Sequence, residues 1–511
     1  MTHLNWHLIK QTCGKLLLLE SFFMALASCV SAYYSTTRGE RDFVSLLIPT
    51  LCCFFTGLLF WLTSRKKVTN HVTNHEGFLI VSVMWIFFSL FGLMPYLIYG
   101  TCTSLCDAFL ETMSGFTTTG CTVLTDIDSQ PHGILLWRSL TQWIGGLGIV
   151  VFSLALLPRI ETGNVQMFSA EVTGLAVDKL RPKIQDTARR LWLIYVTLTA
   201  ACGCMYFVGG MSVFDSICHA LTTMATGGFS THQASIGYFH SGFIEGVTVF
   251  FLFLASINFS MYYLIERRLF SHIWRNEELR WFCYIVVAFI ILFICLFAVQ
   301  SGQADMTAEQ IESFPPGFLM QVRTAVFHVM TIISSCGFQG EFYDYQMWGS
   351  SFWIPTLIIM AIGGCAGSTA GGFKVLRVVI LIKNLKSVLR QTVMPYHYNT
   401  VMLDGRTLRS EFLQRTLGFT FVFFTVALAC MLILMFQGLD LNTAIGTSIS
   451  AIGNCGPGLG LTGPAFTWAE LPDLSKWVLS FTMLIGRLEI FTVIILFSPA
   501  IFSINHPLHN S

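Results

Sequence analysis

Four stretches of this chain share a fourteen-residue pattern that ends on glycine: DAFLETMSGFTTTG at 107–120, DSICHALTTMATGG at 215–228, TAVFHVMTIISSCG at 324–337 and TAIGTSISAIGNCG at 443–456. Their last three residues are small: Thr118, Thr119 and Gly120; Thr226, Gly227 and Gly228; Ser335, Cys336 and Gly337; Asn454, Cys455 and Gly456. None is a carboxylate and no transition-metal ligand set is present, so the ligand on offer is main-chain oxygen. Carbonyl rings replace the hydration shell of a weakly hydrated monovalent cation, whereas a small divalent ion that dehydrates reluctantly needs carboxylates. Potassium is therefore the expected cargo. Glycine at each loop end permits the backbone angles that turn successive carbonyls inward.

The phrases also say what must hold them. Each opens on a residue of helix N-cap type, Asp107, Asp215, Thr324 or Thr443, and runs about two and a half turns before small polar residues break it. That pattern predicts a short helix feeding a loop, with the negative C-terminal end of the helix dipole aimed at the cation. The four glycines are 108, 109 and 119 residues apart. Such spacing suits one repeated unit of membrane helix, half-inserted helix with loop, and membrane helix. Four units running the same way through a bilayer can surround one axis within one polypeptide.

Composition requires that bilayer. With 54% hydrophobic and 11% charged residues and a mean hydropathy of +0.66, 511 residues cannot fold as a soluble globule without exposing large apolar surfaces. Ten apolar stretches of spanning length lie near 16–37, 43–64, 77–100, 135–158, 188–210, 243–265, 281–300, 351–382, 412–438 and 476–503. The first carries Glu20 and lacks a small-residue cleavage site, which marks a retained helix rather than a signal peptide. The expected fold is an all-α polytopic membrane protein, with four pseudo-symmetric units around one pore and two further N-terminal transmembrane helices. The expected divisions are 1–76 for the N-terminal pair, then pore units at 77–160, 161–270, 271–395 and 396–511.

Charge sets the orientation. The N-terminus and the segments near 65–76, 159–190, 266–280 and 374–415 hold 23 of the 29 Lys and Arg against 10 acids. The opposite side holds 15 acids and 5 bases. This is the positive-inside pattern, with both termini cytoplasmic, and the acidic outer mouth is expected to concentrate cations. The basic segments 179–190 and 374–390 suit either anionic lipid headgroups or a docked cytosolic protein.

Two irregular features lie at membrane depth. An arginine inside a membrane helix costs roughly 2.5–3.5 kcal/mol on insertion scales, so Arg487 must face a polar cavity or a partner such as Glu489 or Glu245. Placed beneath a cation filter, its charge repels cations. The run Gly363, Gly364, Gly367, Ser368, Thr369, Gly371, Gly372 and Lys374 interrupts the apolar stretch at 351–382. Irregular backbone there needs protein or water to cover it, so the segment lines a cavity or forms a tight glycine packing seam.

Other patterns carry less. Gly458, Gly460 and Gly463 fit a dinucleotide spacing without the strand that motif needs, so no nucleotide site is expected in this chain. His219 and His328 hold equivalent positions in two phrases, beside Glu111 and Thr447 in the others, and are expected to hydrogen-bond behind the filter. Most of the sixteen cysteines lie in apolar spans as small hydrophobes, and Cys102 and Cys106 face the outer side, where a disulfide is open to them. The sequence shows no catalytic motif. A polytopic membrane enzyme would need intramembrane His, Asp or Glu, which are few.

The segments SGFTTTGCTVL, ATGGFSTHQASIGYF, GGCAGSTAGGFKV, GNCGPGLG and GRLEIFT resemble those of the membrane subunits of bacterial Trk potassium-uptake systems, TrkH and TrkG, within the superfamily that includes KtrB and plant HKT transporters. The resemblance covers nearly the whole chain. It implies a dimeric inner-membrane pore subunit whose filter is formed by the four glycine-ended loops, with no enzyme activity. It implies that residues 363–374 are an intramembrane gating loop ending at Lys374 and Arg377, and that Arg487 is an electrostatic barrier below the filter. It also implies a cytosolic NAD/ATP-binding regulatory subunit resembling TrkA, and no nucleic-acid partner. Channel conduction and sodium- or proton-coupled symport within the superfamily both remain open.

Overall fold

The computed structural model describes residues 6–64, 74–148, 184–266, 268–302, 307–394 and 400–494. Apart from a two-residue-per-strand hairpin, Met402–Leu403 against Arg406–Thr407, the described elements are helical. Six helices are long and apolar enough to cross a membrane: Trp6–Arg38, Phe43–Ser64, Leu79–Tyr99, Arg189–Val208, Glu277–Ser301 and Ser410–Phe436. Large apolar side chains such as Phe55, Phe421 and Phe436 stay exposed on them, as a lipid-facing exterior requires.

The N-terminal pair, Trp6–Arg38 and Phe43–Ser64, packs along a glycine seam. A side-chain carbon at Gly14 would sit 2.8 Å from the Gly57 carbonyl, and one at Gly57 3.0 Å from the Gly14 carbonyl, so only glycine allows this approach. The pair is fastened to the first unit where Glu40 takes the His132 ring nitrogen at 2.6 Å and its amide at 2.9 Å.

Each remaining unit has a leading helix, a short pore helix and a trailing helix. The pore helices are Leu105–Phe116, Val213–Met224, Gly317–Ile333 and Leu441–Gly453. Their starts differ from expectation. Ser104, Ser212 and Asp440 are the N-caps of the first, second and fourth, three residues upstream of Asp107, Asp215 and Thr443, whose amides those side chains receive. The third begins after Pro316, two turns before Thr324, because Gly317–Arg323 continues the helix.

All four trailing helices are interrupted, the third where its glycine run predicts and the other three within spans expected to be unbroken. The first, His132–Trp143, passes into a π-type turn, Ile144–Gly148, in which Gly146 has ψ −123°. The second breaks between Gly242–Ser256 and Ser260–Glu266. The third breaks between Trp353–Ile362 and Val375–Val393. The fourth, Asp473–Arg487, stops where Glu489 and Ile490 take positive φ, before Phe491–Ile494. The distal part of the first expected trailing span, most of the expected inner-side segment 159–190 and the C-terminus lie outside the described residues.

Candidate functional site: a ring of main-chain carbonyls and the loop beneath it

Each pore helix ends in the same way. The amides of Thr119, Gly227, Cys336 and Cys455 return to the carbonyls of Ser114, Thr222, Thr331 and Ser450, at 2.9, 2.9, 2.9 and 3.0 Å. The preceding residues, Thr118, Thr226, Ser335 and Asn454, take φ between 52° and 56°. This is the left-handed helix stop in which N–H groups fold back into the helix. A β-branched threonine in this region costs on the order of 1–3 kcal/mol, a strain concentrated at the ring. The glycines follow two positions later, again with positive φ: 84° at Gly120, 83° at Gly228, 76° at Gly337 and 93° at Gly456.

The four stops meet in a closed cycle. A side-chain carbon on Gly120 would strike the Gly227 carbonyl oxygen, one on Gly228 the Cys336 oxygen, and one on Gly337 the Cys455 oxygen. One on Gly456 would come 2.8 Å from the Thr119 oxygen, returning to the first unit. Each glycine therefore makes room for the carbonyl of the next unit, and all four glycines line one outer cavity. Thr119, Gly227, Cys336 and Cys455 present the carbonyls of this ring. Thr118, Thr226, Ser335 and Asn454 lie one step toward their pore helices.

Side chains hold the ring from behind. Gln142 Nε2 donates to the Gly227 carbonyl at 2.7 Å while its Oε1 accepts the Phe229 amide at 3.0 Å. Asn454 Nδ2 donates across the seam between the fourth and first units to Thr119 Oγ1 at 3.0 Å, and to the Met483 carbonyl at 2.9 Å. The equivalent positions on the pore helices clip neighbouring backbone and side chains. Glu111 accepts the Val123 amide at 2.9 Å, His219 meets Ser230 Oγ at 2.9 Å, His328 meets Thr356 Oγ1 at 3.1 Å, and Thr447 meets Thr462 Oγ1 at 2.6 Å. Both histidines thus make the hydrogen bonds expected of them.

The outer cavity is less acidic than the sequence balance suggests. Its lining includes Thr122, Arg138, His232 and Gln339 but, among the described residues, no carboxylate. The nearby acids are taken up in pairs. Glu111 holds Arg138 Nε at 2.8 Å, both fully buried, while Asp128 holds His232 Nδ1 at 2.8 Å. Cys102 and Cys106 are free thiols.

On the other side of the ring sits the glycine-rich segment. Between Ile362 and Val375 it is non-helical, with Gly363, Gly367, Gly372 and Lys374 at positive φ. It is sewn to the break in the second unit: the Cys365 amide donates to Ser256 at 3.0 Å, the Thr369 amide to Ala255 at 3.3 Å, and Gly367 accepts the Phe259 amide at 3.0 Å. Glu278 accepts the Ala366 amide at 2.6 Å, and Ser368 Oγ donates to the Cys365 carbonyl at 2.6 Å. A side-chain carbon on Gly364 would strike Ala370, and one on Gly371 would strike the Gly453 carbonyl beside Asn454. The Lys374 ammonium folds back onto the Ala370 carbonyl.

Arg487 closes this layer. Its guanidinium donates to the carbonyls of Thr369, Gly145 and Gly146 at 2.8, 2.7 and 3.1 Å. The acids open to it on sequence grounds bond other arginines: Glu489 meets Arg377 at 2.6 Å and Glu245 meets Arg323 at 2.7 Å. Sequence reasoning passed over Gln142, the Glu111–Arg138 pair, Glu278 and the Gly145–Gly146 turn. A signal existed in QWIGGLG, because a glutamine and paired glycines inside an apolar stretch mark a polar contact and a helix break.

Comparison with known proteins agrees on the family. The TrkH family model, described as a cation transport protein, matches residues 46–504. The chain is 35% identical over 501 residues to the Trk system potassium uptake protein TrkH of Escherichia coli (strain K12), covering 97% of this chain and 99% of that protein. It is 33% identical over 494 residues to TrkG of the same strain, covering 96% and 97%. The crystal structure of the potassium transporter TrkH from Vibrio parahaemolyticus superposes with a TM-score of 0.84 at 32% identity, covering 98% of this chain and all of that one.

Proposed function

The chain belongs to the TrkH family of cation transport proteins, and on that premise we propose that it takes up potassium through the ring formed by Thr119, Gly227, Cys336 and Cys455. The observation that supports this reading is the closed cycle in which each unit's glycine accommodates the next unit's carbonyl. Four oxygens fixed around one axis offer a dehydrated alkali cation replacement ligands without a carboxylate to trap it. Binding must be weak enough to allow release, and neutral carbonyls meet that condition.

Below the ring, Gly363, Gly364, Gly367, Ser368, Thr369, Gly371, Gly372 and Lys374 form the gate in this reading, with Arg487 as its charged latch. The loop fills the layer beneath Asn454 and Ser335, and Arg487 bonds it to the opposite unit. The guanidinium charge there opposes cation passage until the loop moves. The protein works in the bacterial inner membrane with both termini cytoplasmic, as a homodimer regulated by a cytosolic NAD/ATP-binding subunit resembling TrkA. The relatives named for a Trk system support a multi-component assembly.

Ion-replacement flux in liposomes containing the purified chain tests the proposal. Potassium-driven flux that persists when sodium and proton gradients are removed supports conduction. Flux that requires either gradient identifies a coupled carrier, and absence of potassium flux overturns the reading.

A further inference from the structure

The loop and the filter touch at one polar contact. The Gly371 amide donates to the Ser335 hydroxyl, and that hydroxyl in turn donates to the Ser334 carbonyl at 2.6 Å. Both groups are buried, so loss of either partner leaves the other a buried polar group without its hydrogen bond. The Cys336 carbonyl in the ring belongs to the next residue. On its other side, Gly371 packs so closely on the Gly453 carbonyl and Asn454 that a side-chain carbon has no room. The middle of the loop is therefore wedged under two adjoining quarters of the ring.

The four units differ here. Thr226 Oγ1 makes the same internal bond as Ser335, to the Ala225 carbonyl at 2.7 Å, but accepts no loop amide. Asn454 spends its amide on Thr119 and Met483. Only Ser335, among the described residues at this position, accepts a hydrogen bond from the loop.

We propose that Ser335 couples the intramembrane loop to the carbonyl ring, so that the position of the loop and the discrimination between cations are set together. The inference rests on the reading of residues 363–374 as a gate. With the loop seated, the Gly371 amide fixes the Ser335 hydroxyl and, through it, the turn that aims the Cys336 carbonyl. With the loop withdrawn, the hydroxyl loses its donor and this quarter of the ring relaxes. Linkage runs both ways: a cation that favours the fixed turn must also favour the seated loop. Ser335 is a positioning residue in this scheme, acting through its neighbour's carbonyl.

Potassium and sodium flux through purified Ser335→Ala in liposomes tests the coupling, with Arg487→Ala as a control for the gate itself. Loss of one buried hydrogen bond should raise the basal potassium flux roughly three- to tenfold, and the potassium-to-sodium flux ratio should fall in the same variant. Ser335→Thr should restore both, because Thr118 and Thr226 occupy the same backbone conformation in other units. Ser335→Cys keeps the size with a weaker acceptor and should fall between; it serves as the test if the alanine variant does not fold. If Arg487→Ala raises flux while neither Ser335→Ala nor Ser335→Cys changes flux or ratio, the coupling is wrong and the gate stands. If Arg487→Ala leaves flux unchanged as well, the gate reading fails and the coupling with it.

Discussion

The Arg487 guanidinium donates to the Thr369 carbonyl at 2.8 Å, which ties the trailing helix of the fourth unit to the loop of the third. Two more donations, to Gly145 and Gly146, carry the tie to the first unit. Hydrogen bonds from a charged group contribute about 1.5–3 kcal/mol each. Arg487→Ala should therefore free the loop and raise passive potassium flux by at least about tenfold, which radiotracer uptake into liposomes measures. A folded variant with unchanged flux would make Arg487 a brace and nothing more.

Glycine substitutions in the ring should be graded by available room. A side-chain carbon at Gly228 collides with the Cys336 carbonyl, whereas one at Gly456 has 2.8 Å to the Thr119 oxygen. Both positions also have positive φ, so alanine is strained at each. Gly228→Ala should reduce potassium uptake in a transport-deficient host by more than about tenfold. Gly456→Ala should retain more activity. The reverse order would contradict the packing described for the cycle.

Glu111 and Arg138 form a fully buried pair behind the first quarter of the ring, and Arg138 also stacks 4.1 Å over the centre of the Phe229 ring. Removing one partner leaves a buried charge, at a cost of about 3–5 kcal/mol. Glu111→Ala should lower the melting temperature markedly in detergent, and pairing it with Arg138→Met should recover much of the loss. A double variant as unstable as the sum of the singles would show that the charges do not act as a pair.

His232 stacks on Tyr238 at the outer mouth, between Asp128 and Asp215. Burial alone would lower its pKa, but the carboxylate of Asp215 at 3.6 Å and the hydrogen-bonded carboxylate of Asp128 outweigh it and leave the imidazole raised above 6.5. A group raised on folding contributes stability that is fully present below its unfolded pKa and is lost as pH rises through its folded pKa. The clasp is partly exposed and contributes up to about 1 kcal/mol. Raising pH from near 6 through the shifted pKa should lower the melting temperature of the wild type more than that of His232→Gln. Equal pH slopes would contradict the clasp.

Much of this organisation was legible in the residues. The repeated phrases fall on the four turns that meet in the cycle, because a fourfold repeat survives divergence of individual side chains. The helix ends were expected among the small polar residues before each glycine and fall there, but the unusual backbone angles were expected of the glycines alone, whereas Thr118, Thr226, Ser335 and Asn454 take positive φ as well. Threonine there is a poor local choice that only the surrounding ring can enforce. The same limit hid three breaks in the trailing helices. Ile257 to Phe259 and Leu488 to Ile490 are largely apolar, so hydropathy runs through them, while the backbone departs from helix to meet the loop and its neighbours. The third break was read from its five glycines, while the first left a weaker signal in Gly145, Gly146 and Gly148. Pairings such as Gln142 with Gly227 span 85 residues and depend on tertiary placement.

The most direct measurement is anomalous diffraction from crystals of the purified protein grown with rubidium or thallium in place of potassium. A peak on the axis, surrounded by the carbonyl oxygens of Thr119, Gly227, Cys336 and Cys455, is the result expected of a main-chain filter. An empty axis, with the cation held instead by side-chain carboxylates, would contradict it.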